Sequence, residues 1–174
     1  DWQGAWIGLA GEDTRGASPL LRKEFVVDGP VKMARLYMSG IGWSEASING
    51  SRVGDNVLDP ATTDYDKRVL YVTHDVTGLI HPGANALGVM LGNGWYSQPL
   101  DFGYGDSPRL RLELLLERAD GTVQRISSDE SWKSSTGPIL QNSIWGGEIY
   151  DARLEHEGWR QPGFDDSAWS AAAV

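Results

Sequence analysis

Residues 109–126 read RLRLELLLERADGTVQRI, and this stretch decides the fold class. Leu110, Leu112, Leu114 and Leu116 alternate with Arg109, Arg111, Glu113 and Glu117, the period of two that turns one side of a strand into a core and the other toward water. Asp120-Gly121 follows, a dipeptide that tolerates the backbone of a tight turn, so residues 123–126 return as the second arm of a hairpin.

The same grammar extends toward the N-terminus. Residues 20–27 and 31–38 read as strands around the turn Asp28-Gly29-Pro30, with Ala34, Leu36 and Met38 inward and Arg35 and Tyr37 outward. Two more half-buried strands flank Asn49-Gly50, and residues 86–91 lead to a second Asn-Gly at Asn93-Gly94, followed at once by Trp95 and Tyr96. Residues 69–72 make a brief strand. Asp75 or Thr77 caps one helical turn that ends by Pro82-Gly83, and residues 2–9 are an apolar lead-in that packs on the sheets. No segment keeps helical periodicity beyond one or two turns. Short strands punctuated by turns make the class all-β, a β-sandwich or jelly roll.

Composition bounds the rest. With 174 residues and 40% hydrophobic content, the chain fits one domain with an ordinary core and little to spare. A change of character near Gly158, where the sequence becomes GWRQPGFDDSAWSAAAV, suggests a division into residues 1–157, the β-domain, and 158–174, a linker or the start of a further domain. Opening on Asp1 and closing on Ala171 to Val174, the chain is expected to be a piece of a longer protein. The absence of cysteine excludes disulfides and thiolate metal sites. A net charge of −9 without any basic run argues against nucleic acid and suits a neutral ligand or a cation. No apolar run approaches the roughly 20 residues of a membrane span, so no membrane partner is expected.

Two polar loops leave the ends of strands, one carrying Asp55-Asn56 and one carrying Asn93, the usual way a β-scaffold presents a binding site. Of the eight Trp, Trp6, Trp132, Trp159 and Trp169 sit beside alternating or terminal segments and are expected in the core. Trp43 and Trp95 each follow a glycine at a turn and are the candidates to present a ring face to a sugar. Asp59, Asp64 and Asp66 read as caps and solvated turn residues. Asn49-Gly50-Ser51 matches a glycosylation sequon yet sits where a hairpin needs Asn-Gly. His74, His81 and His156 have no metal-ligand spacing, and no nucleophile elbow surrounds Ser107.

Taken as a set, Arg35-Leu-Tyr-Met-Ser-Gly, Ile48-Asn-Gly-Ser-Arg-Val-Gly-Asp, Asp59-Pro60, Thr63-Asp-Tyr-Asp-Lys-Arg-Val-Leu-Tyr71, Leu91-Gly-Asn-Gly-Trp-Tyr96 and Gly147-Glu-Ile-Tyr-Asp-Ala-Arg153 resemble the N-terminal β-domain of bacterial α-L-rhamnosidases. Pro162-Gly-Phe-Asp-Asp-Ser-Ala-Trp169 is similar to the segment that follows it there. The resemblance implies a galactose-binding-domain-like jelly roll, which in some members binds L-rhamnose through calcium. Carried over by position, it implies Asp55, Asn56, Asn93 and Pro99 as ligands of the ion, with Asp55, Asn56 and Asn93 also reaching the sugar. Calcium takes six to eight oxygens in forgiving geometry, so such a set leaves places for vicinal hydroxyls. The reading without the family is a turn in which Asp55 and Asn56 bond their own backbone.

A glycosidase needs two carboxylates in opposite protonation states. Glu148, Asp151, Glu155 and Glu157 are the candidates here, but the resemblance implies that the catalytic pair lies in a helical barrel domain of the same polypeptide. The expectation is therefore a non-catalytic domain of a glycoside hydrolase that binds rhamnose-containing glycan. Its rivals are a structural domain that only buttresses the barrel and, behind that, a hydrolase in its own right.

Overall fold

A computed structural model describes residues 1–11, 16–97, 104–105 and 107–174. Its strands are β1 (Pro19–Val27), β2 (Val31–Ile41), β3 (Trp43–Ile48), β4 (Ser51–Arg52), β5 (Val72–Asp75), β6 (Gly83–Gly92), β7 (Arg109–Arg118), β8 (Val123–Ser127), β9 (Lys133–Thr136), β10 (Ile139–Ser143), β11 (Gly147–Tyr150) and β12 (Ser170–Ala171). They form a six-stranded sheet in the order β12-β9-β1-β6-β3-β4, a four-stranded sheet in the order β5-β2-β7-β8, and a separate ribbon of β10 and β11. Every pairing between these strands is antiparallel. The chain is all-β and a sandwich, as the alternating leucines require.

Leu110, Leu112, Leu114 and Leu116 of β7 are fully buried at 0% exposure, and they meet Leu36 and Met38 of β2, Leu21 of β1, Ile48 of β3 and Leu87, Val89 and Leu91 of β6 in one core. Asn49 and Gly50 take φ of 51° and 80°, which matches the right-handed twist of β3 and β4. The Asn49 side chain donates to Leu79 O at 2.9 Å and Asn85 Oδ1 at 2.8 Å, and its oxygen accepts from Ala86 N at 2.8 Å. The sequon is therefore a structural turn with a fully engaged amide.

Two local expectations shift. The strand placed at residues 69–72 forms instead at Val72–Asp75, because its register on β2 is set beyond it: the Ala34 N–H donates to Thr77 Oγ1 at 2.9 Å and Val76 N–H to Ala34 O at 3.0 Å. The helical turn is a 3-10 turn over Thr77–Leu79, with Asp75 accepting from the Thr77 N–H and hydroxyl. Trp6 is only half-buried, since Ile7 takes the inward position by pairing with Leu110 and neighbours on an extended chain point to opposite sides.

The change of composition at Gly158 is not a break in packing. Trp159 and Trp169 cover Leu20 on the outer side of the six-stranded sheet, with Met90 and Phe164 against them. β12 pairs with β9, and Ala173 exchanges backbone hydrogen bonds with Gly8. The reason is Arg22, 1% exposed, whose guanidinium reaches across from β1 to this segment.

The N-terminal lead-in is held by Glu113, whose side chain is 7% exposed. Burial pushes its carboxyl up, but the N–H groups of Gln3 and Gly4 and the Arg125 guanidinium outweigh that and leave it below the ordinary carboxyl range. A depressed folded pKa contributes stability above the unfolded value near 4.5, and that contribution is lost as pH falls through the folded pKa. Glu113→Gln is expected to destabilise the domain by about 2 kcal/mol at neutral pH and to lose most of this penalty in acid. Urea midpoints at pH 7 and pH 3 measure it; an equal penalty at both would remove the carboxylate from the account.

Candidate functional site

The two loops singled out by sequence meet at one end of the six-stranded sheet. Gly42 has φ +97°, and a Cβ there would lie 2.3 Å from Gly92 O and 2.9 Å from Asn93 O. Only glycine fits, so the entrance to β3 and the exit of β6 lie backbone against backbone, with Gly94 packed on Gly42. This places Trp43 beside Gly92 and Gly94 in the wall of a groove of about 410 Å3. Asn56, Val57 and Leu58 form part of the wall, and Asn142, Ile144 and Glu148 of the β10–β11 ribbon line it as well. Glu45 and Arg52, ion-paired at 3.2 Å, complete its charged lining.

Asn93 is 2% exposed, so its side chain points into the protein beneath the groove. Its amide nitrogen donates to Gly16 O at 3.2 Å and Asn142 O at 2.9 Å. The exchange is mutual: the Asn93 N–H donates to Asn142 Oδ1 at 2.8 Å, and the Asn142 amide donates to Gly16 O and Ser18 Oγ, both at 3.0 Å. This clasp fastens the ribbon to the end of β6. One atom is left over, since Asn93 Oδ1 is buried without a hydrogen-bond partner, a rare state for a buried acceptor.

Asp55 and Asn56 are exposed. Asn56 Nδ2 donates to Asp59 Oδ2 at 3.3 Å and its carbonyl accepts from Arg52 at 2.6 Å, so the turn is tied down locally while the Asp55 side chain faces solvent outside the groove lining. The structure thus brings Trp43 and Asn56 to one groove with Asn93 behind it, while Asp55 stands beside them. Pro99 lies outside the described residues. Among the described residues no three His, Cys, Asp or Glu side chains are grouped to hold a metal, so any ion here would rest on amide and backbone oxygens with one carboxylate. The orphaned Asn93 oxygen is the feature that fits such an ion.

Trp95 is 44% exposed and meets Trp145, 74% exposed, edge to face at 5.6 Å and 87°. Sequence reasoning passed over Trp145 and Asn142. Neither carries a local signal, because each acquires its place from the pairing of β10 with a strand end 49 residues away. The only trace of Trp145 is that Gly146-Gly147 follows it, a turn with φ +76° at Gly147.

The carboxylates considered for catalysis are engaged or solvated. Asp151 receives Arg153 Nε at 2.8 Å and Nη2 at 2.5 Å, which with the Arg153 N–H holds it below the ordinary range. Glu155 accepts from the Tyr150 hydroxyl, and Glu148 and Glu157 are exposed. Asp75, Asp120 and Asp165 are likewise lowered, by hydrogen bonds from Thr77, Thr122 and Ser167. A general acid needs the opposite displacement.

Residues 29–174 match the family described as Alpha-L-rhamnosidase N-terminal domain. An α-L-rhamnosidase of Streptomyces avermitilis is 48% identical over 97% of this chain and 17% of its own length. Among solved structures, the α-L-rhamnosidase of Dictyoglumus thermophilum superposes with a TM-score of 0.92 at 43% identity, covering 100% of this chain and 21% of that one. The Streptomyces avermitilis α-L-rhamnosidase complexed with L-rhamnose superposes with a TM-score of 0.88 at 46% identity, over 91% of this chain and 16% of that one. The chain therefore spans about a fifth of the length of these relatives. With the match covering most of the chain and the sandwich shared throughout, this protein belongs to the α-L-rhamnosidase N-terminal domain family.

Proposed function

We propose that this domain is a non-catalytic carbohydrate-binding module of a larger α-L-rhamnosidase, holding L-rhamnose-containing glycan at the groove between the Asp55-Asn56 turn and the β10–β11 ribbon with the help of calcium. The observation that carries the reading is Asn93 Oδ1, an acceptor buried without a partner on a residue set between Gly92 and Gly94 of the groove wall. Burying an acceptor unpaired costs about 1–3 kcal/mol, and a cation held by Asn93 together with Asp55 and Asn56 would recover it. Direct hydrogen bonds to a neutral sugar are worth only about 0.5–1.5 kcal/mol each. A bound cation supplies a concentrated charge that vicinal hydroxyls can share, and the net charge of −9 favours holding it. Trp43 in the groove wall and Trp95 beside it offer the apolar faces. L-rhamnose is the sugar of choice because it is the ligand in a 46% identical relative.

The competing reading, a domain that only supports its neighbours, draws on apolar side chains of the ribbon and the turn after it, where Leu140, Ile149 and Leu154 are about half exposed. Asp55→Ala and Asn56→Ala separate the two. Both positions are exposed, so neither variant disturbs the core. Each is expected to weaken L-rhamnose binding at least about tenfold in calorimetry, about 1.4 kcal/mol, with a melting temperature unchanged from wild type in excess chelator. Wild-type affinity in both variants would move the site away from this turn.

A further inference from the structure

The ribbon has two faces, and pairing separates them. Asn142 stands opposite Glu148 and Ile139 opposite Tyr150, with a bulge between, so Glu148 and Tyr150, two apart on β11, share the side that faces the six-stranded sheet. Glu148 lines the groove described above. Tyr150 lines a second cavity of about 390 Å3, together with Glu155, His156, Glu157, Arg160 and Gln161. Met90 and Ile139 line both, so the two cavities abut beneath one ribbon. Each lies in the size range of small-ligand pockets.

The second cavity is built rather than incidental. Its floor is fixed by Arg22, which donates to Trp159 O at 2.9 Å and Gln161 O at 2.8 Å. His156 Nε2 lies 2.9 Å from Thr136 O, an atom that only accepts, so the ring donates there and is held against Trp169 at 5.3 Å. Tyr150, 49% exposed, donates a hydrogen bond from its hydroxyl to Glu155. Arg160 stacks over Trp159 at 4.9 Å. The lining therefore presents one aromatic face, two carboxylates as acceptors and an amide and a guanidinium as donors, an assortment suited to a neutral polyhydroxylated ring. Two residues of a strand span about 7 Å, on the order of one sugar and its linkage.

We infer that the cavity bounded by Tyr150, Glu155, Glu157 and Gln161 is a second saccharide subsite, which takes the neutral sugar linked to the rhamnose in the first groove. The inference rests on the carbohydrate reading of that groove. It makes the domain a reader of glycosidically linked pairs and not of single terminal rhamnose.

Calorimetry with methyl α-L-rhamnoside and with rutinose, an L-rhamnosyl-glucose disaccharide, tests it. Rutinose is expected to bind about tenfold more tightly than the monosaccharide, the worth of one or two net hydrogen bonds with a ring face. Tyr150→Ala, at an exposed position, is expected to abolish that gain and leave the monosaccharide affinity unchanged. Amide shifts at His156 to Gln161 should respond to rutinose and not to methyl rhamnoside. Equal affinity for both sugars, an undiminished gain in Tyr150→Ala, or rutinose-specific shifts confined to Trp95 and Trp145 would overturn the second subsite and leave the first groove standing. Failure of both sugars to bind wild type would overturn both readings together.

Discussion

Trp132→Ala is expected to lower the unfolding free energy by about 3–5 kcal/mol. Trp132 is 0% exposed and heads the fully buried side chains by volume. It lies between β8 and β9, where the chain passes from the four-stranded to the six-stranded sheet, and it belongs to the same core as the β7 leucines. Removing the ring leaves a void that close-packed strands on both sides cannot collapse to fill, so the cavity cost adds to the lost burial. Its backbone carbonyl also accepts from Ala172 N at 2.8 Å, which ties the last strand to this point. Trp132→Phe separates packing from bonding: it keeps most of the volume but strands Ser127 O, which now accepts from Nε1 at 2.9 Å, and should cost about 1–2 kcal/mol. Urea unfolding measures both. A loss below about 1 kcal/mol for the alanine variant would mean that the sheets close without the indole.

Arg22→Met is the second large effect, expected at about 3 kcal/mol, the lower part of the range for removing one member of a buried ion pair. The side chain is 1% exposed and serves Asp166, Glu24, Trp159 O and Gln161 O at once. Methionine keeps apolar volume but leaves the buried Trp159 carbonyl and the part-buried Gln161 carbonyl without this donor. Asp166 and Glu24, at 26% and 37% exposure, can recover water, which limits the cost. The loss should be local in its first expression: amide exchange at Trp159 to Trp169 accelerates before β7 does, because Arg22 bonds the Trp159 and Gln161 carbonyls and Asp166 within this segment. Uniform acceleration across β7 and the tail would show that the guanidinium supports the whole sandwich and not this one attachment.

What could be read without coordinates follows from locality. The β7 leucines, the Asn49-Gly50 turn and the Asp120-Gly121 turn each declare themselves within a few residues, through period-two alternation or through dipeptides that accept positive φ. The position of β5 did not, because its register depends on Thr77 meeting Ala34, 43 residues away. The attachment of residues 158–174 was hidden for the same reason: Arg22 looks like an outward strand residue until the distant segment that covers it is known. At the site, Trp43 and Asn56 were legible as residues on strand-end loops. Asn93 was legible as a position but not in its role, since a buried clasp to Asn142 and an exposed turn share the same Asn-Gly letters. Trp145 had only the following Gly146-Gly147 as a local mark, and the inner face of the ribbon had none, because a bulge between Ile139 and Gln141 sets which of its side chains face the sheet.

The proposed groove site rests on a cation that would satisfy Asn93 Oδ1 and present charge to sugar hydroxyls. The most direct measurement is calorimetric titration of the wild-type domain with L-rhamnose, once in excess calcium and once in excess chelator. Binding in calcium that falls at least about tenfold in chelator, a change of about 1.4 kcal/mol or more, and returns when calcium is restored is the predicted result. Equal affinity in the two buffers would contradict a metal-bridged site.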